Sequence, residues 1–224
     1  MTWQEKALLL RILKQFITSH KRALIEKVIQ DRTRYLTLVL EDIFQSFNAS
    51  AIIRTAEVFG LQDIHAIEQR NIFCPTMAVC KGARKWVDIY THYTTNTCLA
   101  SLKEQGYTIV ATVLQEQSIP IQHIPVTNKI ALVFGTELRG ITDTVLTYAD
   151  ATAYIPMYGF TQSFNVSVSV ALCVQTILEH IKAAAVDWQL SPKEQIEVQW
   201  QWLERMLTVP VVQALVQPQQ KGLQ

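Results

Sequence analysis

Residues 159–173, GFTQSFNVSVSVALC, change their hydrophobic period in mid-segment. From Ser163 to Val170 polar and apolar residues alternate, which is typical of a strand, yet the segment continues directly into an apolar run with helical spacing. One structure reconciles the two patterns, because residues 156–164 can form a loop whose backbone faces a ligand while a helix begins at Asn165. Ser163 and Asn165 then either only cap the free N–H groups of that helix or also reach into the ligand site.

Strand-like and helix-like segments alternate on both sides of this stretch. Strands are predicted at 35–42, 63–68, 86–90, 107–113, 129–135 and 151–156, and helices at 3–17, 20–34, 48–60, 95–105, 142–149, 165–184 and 191–208. Several strands are apolar on both sides, which is typical of a mostly parallel sheet sandwiched by helices. The sequence therefore predicts an α/β domain at 35–185, a basic helical extension at 1–34, and a helical extension with a tail at 186–224.

Composition and charge indicate a folded chain with one basic end. Hydrophobic residues make up 49% and charged residues 17%, which can bury a core and argues against disorder. Residues 1–35 hold eight Lys or Arg and three Asp or Glu, a net charge of +5, whereas the whole chain carries +1. This asymmetry predicts either a basic arm or a solvated helix pair. No apolar run reaches about 18 residues, so no membrane span is expected.

The sequence lacks the cysteine spacings of metal sites and the common catalytic motifs. Cys74, Cys80, Cys98 and Cys173 lack C-x-x-C spacing and have no nearby histidine pairs in the sequence. They predict reduced thiols in a cytoplasmic protein, with neither a disulfide nor a zinc site. The chain has no dinucleotide-binding glycine pattern, no phosphate-binding loop and no G-x-S-x-G elbow. His65 lies in a predicted strand and is interpreted as structural, so no metal is expected.

Polar loops follow three of the predicted strands. They are EDIFQSFNASAIIR (41–54), FGTELRGIT (134–142) and IPMYGFTQSFNVS (155–167). Ligands of open α/β sheets bind at the carboxyl ends of strands, so these loops are predicted to converge on one site. Gly135, Gly140 and Gly159 allow the backbone to approach a ligand closely. The charged residues Arg54, Glu137 and Arg139 can also be ordinary solvated surface charges.

Together the three loops resemble the three motifs of the SpoU (TrmH) branch of the SPOUT RNA methyltransferases. The motifs are similar to LVLEDIFQSFNASAIIRTAEVFG (38–60), IALVFGTELRGIT (130–142) and YIPMYGFTQSFNVSVSVAL (154–172). The resemblance covers roughly residues 20–185. Within the branch, RALIEKVIQDRTRYLTLVLED (22–42) and ARKWVDIYTH (83–92) resemble the members that act on the D-loop guanosine at tRNA position 18.

The resemblance implies a fold, a reaction and partners. It implies a deep trefoil knot at the C-terminal side of the sheet, S-adenosylmethionine held bent in the knot, and a homodimer with the site built across its interface. The implied reaction transfers a methyl group to a ribose 2′-hydroxyl of tRNA, at the guanosine of position 18. Ribosomal RNA, another tRNA position and a non-catalytic RNA-binding module remain alternatives, since Glu179 and His180 stand where family members often carry arginines.

Site residues are implied by the same resemblance, position by position. Arg54 activates the 2′-hydroxyl, either as a base or as a cation that binds a phosphate and stabilises the developing alkoxide. Asn48 helps to place Arg54 and the substrate, and the polar cluster is completed by Glu137, Ser163 and Asn165. Cofactor contacts are implied for Thr112, Gly135, Ile155, Ser163 and Phe164. RNA phosphate contacts are expected from Lys21, Arg22, Arg32, Arg84, Lys85 and Lys103.

Overall fold

Seven strands and eight α-helices are formed by residues 2–136 and 138–207, the part of the chain that this computed structural model describes. The strands are β1 (Leu36–Glu41), β2 (Asp63–Ile67), β3 (Asp88–His92), β4 (Tyr107–Thr112), β5 (Ile119–Pro120), β6 (Lys129–Phe134) and β7 (Ala151–Tyr154). The helices are α1 (Trp3–Leu13), α2 (Ser19–Val28), α3 (Ser46–Val58), α4 (Met77–Cys80), α5 (Thr95–Glu104), α6 (Asp143–Tyr148), α7 (Val166–Ala183) and α8 (Pro192–Met206).

All strand pairs in the sheet are parallel, in the order β3-β2-β1-β6-β4-β7-β5. Every residue of β1 is buried, including neighbours such as Leu38 and Val39 that point to opposite faces. A strand buried on both faces needs helices above and below the sheet. The predicted α/β class, with a mostly parallel sheet between helices, is confirmed. The short edge strand β5 lies between residues 113 and 129, where the sequence predicted neither a strand nor a helix.

The two faces of the sheet pack against different helices. On one face, Leu38 and Leu40 share a core cluster with apolar residues of α3 and α7, such as Ile52 and Val174. On the other face, Val39 belongs to a separate cluster together with residues of α5 and α6. By length and hydropathy α7 could cross a membrane, but seven of its residues are buried in the first cluster. Helix α7 is therefore a core helix that fixes the segment preceding it.

The change of period at 163–170 marks the start of α7. Asn165 is the N-cap of this helix, and its Oδ1 accepts a hydrogen bond of 2.9 Å from the backbone N–H of Ser167. The residues between β7 and α7 form neither helix nor strand. The sequence interpretation of a loop followed by a helix is confirmed. The alternation in this stretch comes from valines on a buried helix and not from a strand.

The described residues divide into two compact units, residues 2–32 with 189–207, and residues 33–136 with 138–188. In the first unit α1 packs against α8. Helix α8 begins with a capping box in which Ser191 and Glu194 bond each other's backbone N–H. Leu13, Ile29 and Trp202 of this unit are almost fully buried.

Candidate active site

A cavity of about 260 Å³ lies at the carboxyl ends of three neighbouring strands, β4, β6 and β7. Its lining comes from the ends of these strands, from the loop after β6, and from the segment between β7 and the first turns of α7. The lining includes every position at which the resemblance implied a cofactor contact, namely Thr112, Gly135, Ile155, Ser163 and Phe164. Residues that are distant in the sequence are therefore brought to one concave site, where ligands of parallel sheets bind.

Gly135 lies where the loop after β6 folds back on itself. Thr136 accepts a hydrogen bond of 2.8 Å from the backbone N–H of Gly140, and the two residues form an isolated β-bridge. A Cβ atom at Gly135 would lie 2.0 Å from the carbonyl oxygen of Gly140. Only glycine fits there without moving the loop, and Gly140 itself has a φ of +65°, in the left-handed region. The glycines thus set the shape of one wall of the cavity.

Asn48 and Asn165 join the first and third motifs by a direct hydrogen bond. The Nδ2 atom of Asn165 donates to Oδ1 of Asn48 at 3.1 Å, and Nδ2 of Asn48 donates to Oε1 of Gln45 at 2.9 Å. Asn165 sits between Phe164 and Val166, which both line the cavity. The starts of α3 and α7 are therefore held together beside the cavity, and Asn165 both caps its helix and takes part in this polar pair.

Arg54 lies two turns after Asn48 and is exposed on α3. Six helical residues separate these two side chains by about 9 Å along the axis and by about 120° around it. Among residues 2–136 and 138–207, nothing forms a hydrogen bond or ion pair with Arg54, so its guanidinium is not engaged by Glu57 three residues later. It is a permanent cation available to an anion outside the described chain.

Ser163 and Glu137 are the other two candidate residues of the polar cluster. Ser163 lines the cavity and is exposed in the segment before α7. Glu137 lies outside the described residues, between Thr136 and Leu138. Its neighbours in the loop, Thr136 and Gly140, contact the cavity, so the role implied for Glu137 stays a prediction.

The six cations expected to contact RNA have different environments. Arg32 does not match the expectation, because it is fully buried with its guanidinium 5.5 Å from the ring centroid of Trp202. Arg22 donates two hydrogen bonds to the backbone carbonyl of Lys14. Lys103 forms an ion pair of 2.6 Å with Asp150. The side chains of Arg84 and Lys85 are exposed, and that of Lys21 is half-buried.

A second cavity of about 300 Å³ shares Thr136 and Gly140 with the first. Asp42, directly after β1, accepts hydrogen bonds from the backbone N–H groups of Arg70 and Asn71 at 2.7 and 3.2 Å. Glu41 is buried and accepts three hydrogen bonds, one from Thr95 and two from Thr142. In the sequence, Glu41 and Asp42 are recognisable only as polar residues at the end of a predicted strand. They hold together the loops after β1, β2 and β6.

A cluster of His65, His92 and Cys98 was not expected from the sequence. Nδ1 of His65 lies 3.0 Å from Nε2 of His92, and the His65 ring also stacks on Tyr90. Burial, together with the positive charge that His92 can carry, lowers the pKa of His65 to about 4. Burial and the nearby Glu41 raise the pKa of Cys98 to about 12. The spacing of these three residues in the sequence does not indicate a metal site, because they belong to three separate elements, β2, β3 and α5.

The comparisons with known proteins agree with this geometry. The SpoU rRNA Methylase family matches residues 35–175. A tRNA (guanosine(18)-2′-O)-methyltransferase of Borreliella burgdorferi is 42% identical over 196 residues, 88% of this chain and 90% of the relative. The enzyme of the same name from Thermus thermophilus is 32% identical over 190 residues, 84% of this chain and 98% of the relative.

Solved structures give the same answer for the fold. The crystal structure of the A. aeolicus TrmH/SpoU tRNA modifying enzyme superposes with a TM-score of 0.76 and 26% sequence identity, covering 84% of this chain and 98% of that chain. Both the family match and the relatives extend over the three polar loops and over the strands that precede them. The chain therefore belongs to the SpoU rRNA Methylase family.

Proposed function

We propose that this protein transfers a methyl group from S-adenosylmethionine to a ribose 2′-hydroxyl of tRNA, at the guanosine of position 18. The observation that carries the proposal is the cavity at the ends of β4, β6 and β7, with the Asn48–Asn165 pair beside it. Relatives named for this reaction align with 88% and 84% of the chain. The alignment therefore includes the cavity and the polar pair, and not only the sheet.

The lining of the first cavity fits an adenosine-bearing cofactor. Gly135 brings backbone close to the cavity, and Phe134, Ile155 and Phe164 supply apolar surface for a base. Its volume of about 260 Å³ is near the lower end of the roughly 300–1,000 Å³ usual for ligand pockets. The exposed segment 158–165 borders the cavity and would cover the part of the cofactor that extends from it. When bound, S-adenosylmethionine supplies an electrophilic methyl group, and no metal is needed for its transfer.

Arg54 is assigned to the reacting 2′-hydroxyl. A guanidinium is a delocalised cation that does not readily give up a proton, so Arg54 is a poor base. A cation at this point can bind the adjacent phosphate and stabilise the negative charge that develops on the 2′-oxygen. Much of the remaining rate enhancement comes from positioning that oxygen in line with the methyl group. The hydrogen bond between Asn48 and Asn165 orders this side of the site.

RNA binding is assigned to both units of the chain. The N-terminal residues carry the net charge of +5, which favours phosphate contacts, and the pair Arg84 and Lys85 is exposed on a 3-10 turn of the other unit. Arg32 is left out of this assignment because it is buried against Trp202. We assign methyl transfer to residues 33–188. A cytoplasmic location, suggested by four free cysteines, stays a prediction.

A homodimer and a knot complete the proposal. Apolar side chains are exposed near the starts of both α3 and α7, with exposed fractions of 71% for Phe47, 43% for Val168 and 37% for Leu172. A second copy of this chain would cover these side chains and bring another subunit to the cavity, as the family resemblance implies. The segment between β7 and α7 is the part of the chain that the knot would involve. Analytical ultracentrifugation tests the dimer, and a monomer at micromolar concentration would contradict it.

The experiment for the function is transfer of tritiated methyl groups to separate tRNA and ribosomal RNA, with the product mapped by nuclease digestion. We expect label in 2′-O-methylguanosine of the tRNA D-loop. Label only in ribosomal RNA would overturn the substrate, and failure to bind S-adenosylmethionine in calorimetry would favour a non-catalytic RNA-binding module.

The variant Arg54→Ala should lower single-turnover methyl transfer by roughly 10²–10³-fold, the usual loss for one stabilising donor. Its affinity for S-adenosylmethionine and its unfolding free energy should stay unchanged, because Arg54 is exposed and lines neither cavity. Val58→Ala, at an exposed position of the same helix, is the matched control. Full activity of Arg54→Ala would remove Arg54 from the proposed site.

A further inference from the structure

Three side chains that can bind a metal lie together outside both cavities. One ligand atom from each of His65, His92 and Cys98 lies within 4.8 Å of the other two. In the parallel register His65 is level with Val39 and His92 with Ile67, and both of those residues belong to the core cluster that includes α5. The two imidazoles therefore face α5, which carries Cys98. We propose that this cluster is a Zn²⁺ site, independent of the methyl-transfer function.

The distances are close to those that a zinc ion requires. Zn–N bonds of about 2.0–2.1 Å and a Zn–S bond of about 2.3 Å at tetrahedral angles place ligand atoms roughly 3.3–3.6 Å apart. The nitrogens of His65 and His92 are already 3.0 Å apart. The largest separation, at most 4.8 Å, needs to shorten by about 1.2 Å, which rotation of the Cys98 side chain or the half-buried His92 can supply.

The chemistry of binding follows from the hydrogen bond between the two rings. One imidazole donates its N–H to the other, so a proton now occupies the space between the two nitrogens. When Zn²⁺ takes that place, the donor ring moves its proton to its other nitrogen, and both rings offer lone pairs. The thiol of Cys98 releases its proton to solvent as the Zn–S bond forms. One proton therefore leaves the protein for each ion bound.

The donor set and the location suggest what the ion does. Two imidazoles and one thiolate are ligands that Zn²⁺ prefers, and the fourth position can hold water because His92 is only half-buried. The ligands come from β2, β3 and α5, and β3 is an edge strand of the sheet. A bound ion would cross-link this edge to the helix that covers it. The site is therefore assigned a stabilising role.

Co²⁺ is the probe for the test, because tetrahedral Co²⁺ absorbs visible light and a Co²⁺–thiolate bond adds a charge-transfer band in the near ultraviolet. The full-length protein, without a polyhistidine tag, should bind one Co²⁺ per chain with both features. Added Zn²⁺ should displace the Co²⁺ and raise the midpoint of thermal unfolding. Cys98→Ala should lose the charge-transfer band. Its affinity for Co²⁺ should also fall, and by more than the roughly 10- to 100-fold loss that follows removal of an outer-shell partner of a metal ligand.

Two other thiols serve as matched controls. Cys74→Ala removes an exposed thiol and Cys173→Ala a buried one, and both variants should keep the band. His92→Gln changes a half-buried ligand and decides the question if Cys98→Ala does not fold, since it should also lose tight binding. Absence of a thiolate band in the wild-type protein, or a band that survives both Cys98→Ala and His92→Gln, would overturn the proposal.

Discussion

Replacement of Gly135 by alanine tests whether the loop after β6 shapes the cofactor cavity. A Cβ atom there would lie 2.0 Å from the oxygen and 2.2 Å from the carbon of the Gly140 carbonyl, and 2.5 Å from the nitrogen of Ile141. Real Cβ contacts are essentially never shorter than 3.0 Å, so the Gly140 carbonyl must move by about 1 Å or more. All three atoms belong to the backbone, and no side-chain rotation can relieve the overlap.

The cost of Gly135→Ala can be estimated from this overlap. Overpacking of a tight site costs about 1–3 kcal/mol, and each 1.4 kcal/mol corresponds to about a tenfold change in an equilibrium constant. Because Gly135, Thr136 and Gly140 line the cavity, we expect S-adenosylmethionine affinity to fall by roughly 10- to 100-fold. Isothermal titration calorimetry measures the affinity, and urea unfolding measures the stability.

Gly106→Ala is the control for Gly135→Ala. A Cβ atom at Gly106 meets nothing within 4 Å, but its φ is +81°, so this variant should lower the unfolding free energy and leave S-adenosylmethionine affinity unchanged. If Gly135→Ala bound S-adenosylmethionine as tightly as the wild type, the reasoning that ties loop shape to cofactor binding would be refuted.

Two more predictions concern the polar pair and the buried histidine. Asn48→Ala and Asn165→Ala should show a coupling of about 0.5–1.5 kcal/mol in a double-mutant cycle of urea unfolding, because the two amides share a hydrogen bond; additive effects would contradict this. The pKa of His65 is lowered from 6.5 to about 4, by burial first and then by the charge of His92. Between pH 6.5 and about 4 the imidazole of His65 is therefore protonated in the unfolded chain and neutral in the folded protein. In chelator-treated protein the unfolding free energy should therefore decrease as the pH falls from 6.5 to about 4, by up to about 3 kcal/mol. His65→Gln should reduce this dependence to what His92 contributes, since burial lowers the pKa of His92 as well. An equally steep pH profile in that variant would assign the dependence to other groups.

Local patterns made most of the fold predictable from the sequence. The apolar run of β6 and the capping box of α8 depend on neighbouring residues, so the sequence carries them directly. The start of α7 could be placed at Asn165 because a side-chain cap resolves the conflict between two periods. The convergence of loops at one edge followed from the parallel sheet, whose strands all end on the same side.

Contacts between distant residues could not be predicted in this way. Arg32 looked like a surface cation, but Trp202, far away in the sequence, lies close to its guanidinium and accounts for part of its burial. The residues His65, His92 and Cys98 show no characteristic metal-site spacing in the sequence, because they come from three separate elements. The family resemblance implied that Asn48 and Asn165 belong to one polar cluster, but it did not predict the hydrogen bond between them, since composition and period do not report which helix starts meet.

The packing of α1 against α8 has a consequence for biosynthesis. Helix α1 leaves the ribosome before residues 33–188, whereas its partner α8 follows those residues. The side chains of Gln30 and Gln195 form a hydrogen bond of 3.5 Å, although they lie 165 residues apart in the sequence. Contacts of this kind form late in folding, because closing so long a loop first costs chain entropy. We expect residues 33–188 to fold before α1 packs against α8, so a stop codon that falls before α8 would leave α1 without its packing partner.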